Sequence, residues 1–214
     1  MGENMRSKFD DELEVLNEEI LKMGMLVEVS VEKAVGLISK QDVKKAKEVY
    51  EHEEEIDNME HKIQTHCLRL LIEQQPVAKD LRRISAALKI ITDMERIGDQ
   101  ARDIAEICMH YEDGNKFGDT GHIIEMGRNT IYMVKNTVKA FVDNDVVLAR
   151  EVSKYDDVVD NYFITVRDDL IKLIREEKVE PDFIVDLLMI SKYLERIADH
   201  AVNISEWVIF TVEG

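Results

Sequence analysis

Apolar residues in this chain recur at steps of three and four in six separate runs, each sustained over several turns. That period is the signature of a helix with one buried face. The first run reads Phe9, Leu13, Leu16, Ile20, Met23, Val27, Val31, Ala34, Ile38. The last reads Leu187, Ile190, Leu194, Ile197, Ala201, Ile204, Val208. Each stripe predicts a helix of about 25–35 residues, roughly 40–50 Å long. Two prolines and nine glycines in 214 residues cannot punctuate the many short strands of a sandwich or barrel. Pro76 and Pro181 suit a first helical turn, and Asp42 and Asp145 suit N-caps.

The one glycine-rich stretch, YEDGNKFGDTGH at 111–122, divides the chain near its middle. The two sides match. At an offset of 103, Asp42-Val43-x-x-Ala46-Lys47-Glu48-Val49 becomes Asp145-Val146-x-x-Ala149-Arg150-Glu151-Val152, and Gly24 maps to Gly127. At an offset of 100, Glu95-Arg96-Ile97-x-Asp99-x-Ala101 becomes Glu195-Arg196-Ile197-x-Asp199-x-Ala201. A doubled sequence predicts a doubled fold. The expectation is an all-α protein of two tandem, pseudo-symmetric three-helix bundles, residues 1–112 and 122–214, joined by a linker at 113–121.

Acidic residues outnumber basic ones by 45 to 28, for a formal charge of −17. Such a surface repels phosphate backbones and anionic lipid, so neither nucleic acid nor a general membrane attachment is expected. The N-terminal stretch MGENMRSKFDDELEV has no apolar secretory segment, and no run approaches the ~18 apolar residues of a membrane span. The two cysteines, Cys67 and Cys108, form no C-x-x-C pair and sit in apolar stripes as core residues do. A cytoplasmic protein is the expectation, touching a membrane only peripherally through partners.

Four acidic pairs at i,i+4 stand at repeated places: Glu53/Asp57, Glu95/Asp99, Asp156/Asp160 and Glu195/Asp199. Residues four apart share a helix face, here at the margin of the apolar stripe. This composition yields roughly nine such pairs by chance, so one pair means little. Recurrence in the second and third helix of both halves is the informative part. Stacked like charges are unfavourable, more so once desolvated, and a bound cation would turn repulsion into ligation. The alternative is a structural network with Arg96 or Arg196 as partner. Carboxylates favour hard cations, and no Cys/His zinc pattern is present. Five of the six histidines lack an acid three residues before them, and the exception, His122 with Asp119, lies in the linker stretch, which disfavours a ferritin-like oxidase. His52, His61 and His66 read as surface or stripe residues. No phosphate-cradling glycine loop or nucleophile elbow is present.

The segment Asp93-Met94-Glu95-Arg96-Ile97-Gly98-Asp99-Gln100-Ala101 and its counterpart around Tyr193-Leu194-Glu195-Arg196-Ile197-Ala198-Asp199-His200 resemble the PhoU family of bacterial phosphate-signalling regulators. The resemblance runs from about Phe9 to Val212. It implies two three-helix bundles side by side, carrying multinuclear clusters of iron or zinc; manganese and magnesium also suit carboxylates. Carried over residue by residue, the ligands would be Glu53, Asp57, Glu95 and Asp99 in one half, and Asp156, Asp160, Glu195 and Asp199 in the other. One departure is that Asp103 is matched by Asn203, so a site using that position is asymmetric. The implied role is non-enzymatic: coupling the ATPase of a phosphate ABC transporter to a phosphate sensor histidine kinase, and repressing starvation genes when phosphate is plentiful. Symmetric association makes a homodimer the expected assembly. The competing readings are a carboxylate-bridged metalloenzyme, oxidase or phosphohydrolase, and a metal-free helical scaffold.

Overall fold

A computed structural model of the chain describes residues 2–73, 76–111, 121–176 and 180–214, with side chains from Phe9 onward and Glu73 excepted. Six helices account for almost all of it: α1 (Gly2–Ser39), α2 (Val43–Glu73), α3 (Ala78–Met109), α4 (Gly121–Asp143), α5 (Val146–Arg175) and α6 (Pro181–Glu213). The stripes bury as the period requires. Ile20, Met23 and Val27 of α1 and Ile190, Leu194 and Ile197 of α6 are wholly inaccessible. Each large apolar side chain removed from water in this way contributes about 1.5–3 kcal/mol. The lengths spread wider than the sequence predicts, from 23 residues in α4 to 38 in α1. The linker expected at 113–121 lies outside the described residues, apart from Gly121, which opens α4.

Helix ends follow the local chemistry. Asp42 caps α2 by accepting from the backbone N–H of Lys44 at 3.0 Å and Lys45 at 3.2 Å, and Asp145 caps α5 by accepting from Leu148 at 3.0 Å. Asn144 sits between α4 and α5 with φ 51°, a left-handed position that asparagine tolerates and that closes a helix in one residue. Pro181 is the first residue of α6, as its missing N–H favours. Pro76 is placed differently from expectation. It precedes the capping residue Val77 and lies outside the first turn of α3.

Within each half the three helices pack on one another, α1 with α2 and α3, and α4 with α5 and α6. Between halves, α1 packs on α4 and α3 on α6, while α2 and α5 form the outer flanks. One apolar cluster extends from Phe9 to Ile204 through all six helices, so the two bundles share a core.

The sequence repeat becomes a reciprocal, twofold-like contact. A Cβ at Gly24 would lie 3.0 Å from Val138, and one at Gly127 would lie 2.7 Å from Val35. The offset of 103 maps Gly24 to Gly127 and Val35 to Val138, so each half offers a glycine to the other half's valine. The same exchange recurs where α3 crosses α6. Asp93 accepts from Asn203 Nδ2 at 3.2 Å and bonds His200 Nδ1 at 2.8 Å, while Tyr193 hydrogen-bonds Asp103. The offset of 100 maps Asp93 to Tyr193 and Asp103 to Asn203. Both crossings run antiparallel, as a local twofold demands.

Candidate metal centre

The flanking position of α2 and α5 makes two equivalent seams, α2 against α3 and α5 against α6. The acidic pairs lie on these seams. In the first, oxygen atoms of Glu53, Asp57 and Asp99 all lie within 4.8 Å of one another, a spacing one cation could bridge. Glu95 stands close enough to Asp99 and Asp57 to feel their charge. Glu53 is buried, while Asp57, Glu95 and Asp99 are half-buried. In the second seam Asp156 feels Asp160, Asp199 and Glu195 together. Asp156 and Glu195 are half-buried there, whereas Asp160 and Asp199 are exposed. Among the described residues only the first seam brings three ligating atoms within that spacing. All eight sequence-predicted acids thus gather into two groups of four, one tighter than the other.

Electrostatics agree with crowded, partly desolvated carboxylates. Burial first, and then the neighbouring acids, push Asp156 from 3.8 up to about 6. Burial raises Glu53 against the opposing pull of Arg102, and raises Glu95 with Asp99 adding to it. Asp199 moves the same way, by burial and then Glu195.

Basic side chains offset part of the charge. Arg96 reaches Asp99 at 3.1 Å and Glu95 at 3.3 Å, the partner role that the alternative reading of a structural network gave it. In the second half Lys192 pairs with Glu195. Arg102 donates from Nη1 to Glu53 at 2.7 Å, a contact the period of either helix alone does not reveal. The aligned repeats carry the one signal that could have found it, because position 102 is Arg and its counterpart 202 is Val.

Two carboxylate oxygens remain unaccounted for. Asp57 Oδ1 and Asp156 Oδ1 are shut off from solvent and have no hydrogen-bond partner. A buried carboxylate oxygen left unpaired is costly, and such groups are rare in folded proteins. One lies in each acidic group. Hard oxygen donors converging on an unpaired, desolvated carboxylate suit a divalent or trivalent cation. The residues present therefore fit the metal that the resemblance implies.

The histidines separate. His61 is largely exposed, and His52 is half-buried with an unpartnered Nδ1. His66, buried, bridges helices instead: Nδ1 bonds Glu19 at 2.9 Å and Nε2 bonds Glu12 at 3.0 Å, tying α2 to α1. Both cysteines are free and buried, and burial pushes each thiol up to about 12, so they are inert core residues. Among the described residues no helix is long and apolar enough to cross a membrane.

Comparison with known proteins agrees with this architecture. The PhoU domain profile matches twice, at residues 20–108 and 123–208, one match per half. A phosphate-specific transport system accessory protein PhoU homolog from Clostridium acetobutylicum is 35% identical over 211 residues, covering 98% of this chain and 96% of that protein. One of the same description from Pseudomonas putida is 36% identical over 215 residues, covering 99% and 83%. The crystal structure of PhoU from Pseudomonas aeruginosa superposes with a TM-score of 0.88 at 35% identity, covering 96% of this chain and 99% of that one. The phosphate transport system regulatory protein PhoU from Streptococcus pneumoniae gives 0.88 at 26% identity, covering 96% and 97%. Matched in both halves and along nearly its whole length, the chain belongs to the PhoU family.

Proposed function

We propose that this protein is a non-enzymatic regulator of phosphate uptake and phosphate-starvation signalling, acting as a helical adaptor braced by metal clusters. Its partners are the ATPase of a phosphate ABC transporter and a phosphate sensor histidine kinase, and it represses the starvation response when phosphate is plentiful. It works in the cytoplasm and meets the membrane through those partners. The near full-length match to accessory proteins of phosphate-specific transport systems supports the role.

Glu53, Asp57, Glu95 and Asp99 would hold cations on one flank, and Asp156, Asp160, Glu195 and Asp199 on the other. The observation that carries the metal reading is the pair of buried, unpartnered oxygens on Asp57 and Asp156. Cations there would neutralise crowded carboxylates and cross-link α2 to α3 and α5 to α6. That bracing would hold the flanks rigid for docking. Iron and zinc are the leading ions, with manganese and magnesium next. Two copies of the chain associate as a homodimer in this reading.

Disruption of the gene tests the role. Starvation-responsive transcription should then run in high phosphate, and the intact gene should silence it. The tagged protein should co-purify with the ATPase and the kinase. A response that stays phosphate-controlled in the disrupted strain, with neither partner captured by folded protein, would contradict the proposal.

A further inference from the structure

The two acidic groups share ligand types but differ in what holds the acid on the flanking helix. In the first half that acid is Glu53, and Arg102 donates from Nη1 to its Oε1 at 2.7 Å. The pair is well sheltered on the acid side, where the Glu53 side chain is 10% exposed. The offset of 103 maps Glu53 to Asp156, and the offset of 100 maps Arg102 to Val202. Asp156 Oδ1 is buried with no partner. The same position is therefore occupied by a guanidinium in one half and open in the other.

A second difference accompanies the first. Arg102 Nη2 lies 3.7 Å from Asp103, an acid next to it on α3. The counterpart of Asp103 is Asn203. The second half thus lacks both the cationic side chain and the acid to which it could withdraw. Each half keeps a surface cation on the acids of its third helix, Arg96 in one and Lys192 in the other. Among the described residues only the first half also has one on the acid of the flanking helix.

We infer that Arg102 is a built-in competitor for Glu53, withdrawing to Asp103 when a cation binds, so that the second acidic group loads before the first. This rests on the metal reading above. The guanidinium on Glu53 Oε1 opposes a cation on the same carboxylate, and that charge-assisted hydrogen bond must be given up before Oε1 can ligate. The first group should bind on the order of tenfold more weakly for that reason. Its greater convergence does not help while Glu53 is engaged.

The test uses the full chain, stripped with chelator and titrated with Zn²⁺ against a chromophoric competitor. Asp199→Asn disables the second group and reports the first; Asp99→Asn disables the first and reports the second. Zn²⁺ should bind about tenfold more weakly in the Asp199→Asn protein. Adding Arg102→Val to that protein should recover most of the difference, and adding Val202→Arg to the Asp99→Asn protein should weaken it. The Arg102 side chain is 41% exposed, so valine there does not open the core, and circular dichroism checks the fold of each variant. Equal affinities in the two single variants, or no change on adding Arg102→Val, would overturn the inference while leaving metal binding intact. Absence of Zn²⁺ binding in every variant, wild type included, would overturn the metal reading and this inference with it.

Discussion

Asp156 and Glu53 occupy the same place in the two halves, yet their surroundings set them apart. Glu53 has Arg102 against it; Asp156 has acids beside it and no hydrogen-bond partner for its buried Oδ1. Without a cation, ionised Asp156 weakens the fold, because its carboxyl is raised in the native state from 3.8 to about 6. An acid raised on folding holds its proton longer in the folded chain than in the unfolded one. The contribution of Asp156 to the stability of the chelator-treated protein should therefore fall as pH rises from about 4 to about 6. Asp156→Asn should remove this contribution and raise urea-melt stability at pH 7 by about 1 kcal/mol, discounted for partial exposure. With metal bound the order should reverse, since the variant loses a ligand. A variant less stable than wild type in chelator would contradict this account of the site. At this scale the sequence is informative about residue type and face, and silent about partners. His66 illustrates the limit: the period places it toward the core side of α2, but its bridge to Glu12 and Glu19 depends on how α1 lies beside it. Glu53 is buried while stripe residues His52 and Met59 are only half-buried, because α2 is covered by both α1 and α3.

Elements were far more legible. Six stripes became six helices because a face buried over this length needs only the right period. The caps at Asp42 and Asp145 followed from the short side chains that reach backbone N–H groups. Pro76 was read two positions too far into α3, since a proline also suits the extended residues before a cap. The matched glycines Gly24 and Gly127 stood out in the repeat, but their reason lies in the contact between α1 and α4. The Val35 side chain leaves no room for a methyl group at Gly127, and the Val138 side chain leaves only a tight fit at Gly24. Gly127→Ala trades a helix-propensity gain of about 1 kcal/mol against overpacking on Val35 of about 1–3 kcal/mol. We expect net destabilisation, measured by chemical denaturation, and larger than for Gly24→Ala, where the nearest contact is 3.0 Å rather than 2.7 Å. Pairing Gly127→Ala with Val35→Ala should recover more stability than additivity allows, as contacting residues do. Strict additivity in that cycle would show that α1 and α4 do not meet there.

At the scale of the whole molecule, doubling explains why two acidic seams exist and why they face outward on α2 and α5. The repeat made the doubling legible; which helices join the halves was not, because every stripe is apolar enough to serve as a seam. The unequal pairs Arg102/Val202 and Asp103/Asn203 mark where the halves have diverged in chemistry while keeping one fold. Asp99→Ala and Asp199→Ala should each lower metal content with helicity nearly unchanged, because both side chains lie outside the shared core. The central claim is that the repeated carboxylates gather cations. Elemental analysis of the native protein, purified without chelator or affinity metal, tests it most directly. The account predicts transition-metal ions in excess of one per chain, reduced by each of those substitutions and nearly abolished by both together. A metal-free protein that takes up no ion on incubation with iron or zinc, or a metal content indifferent to both substitutions, would contradict it.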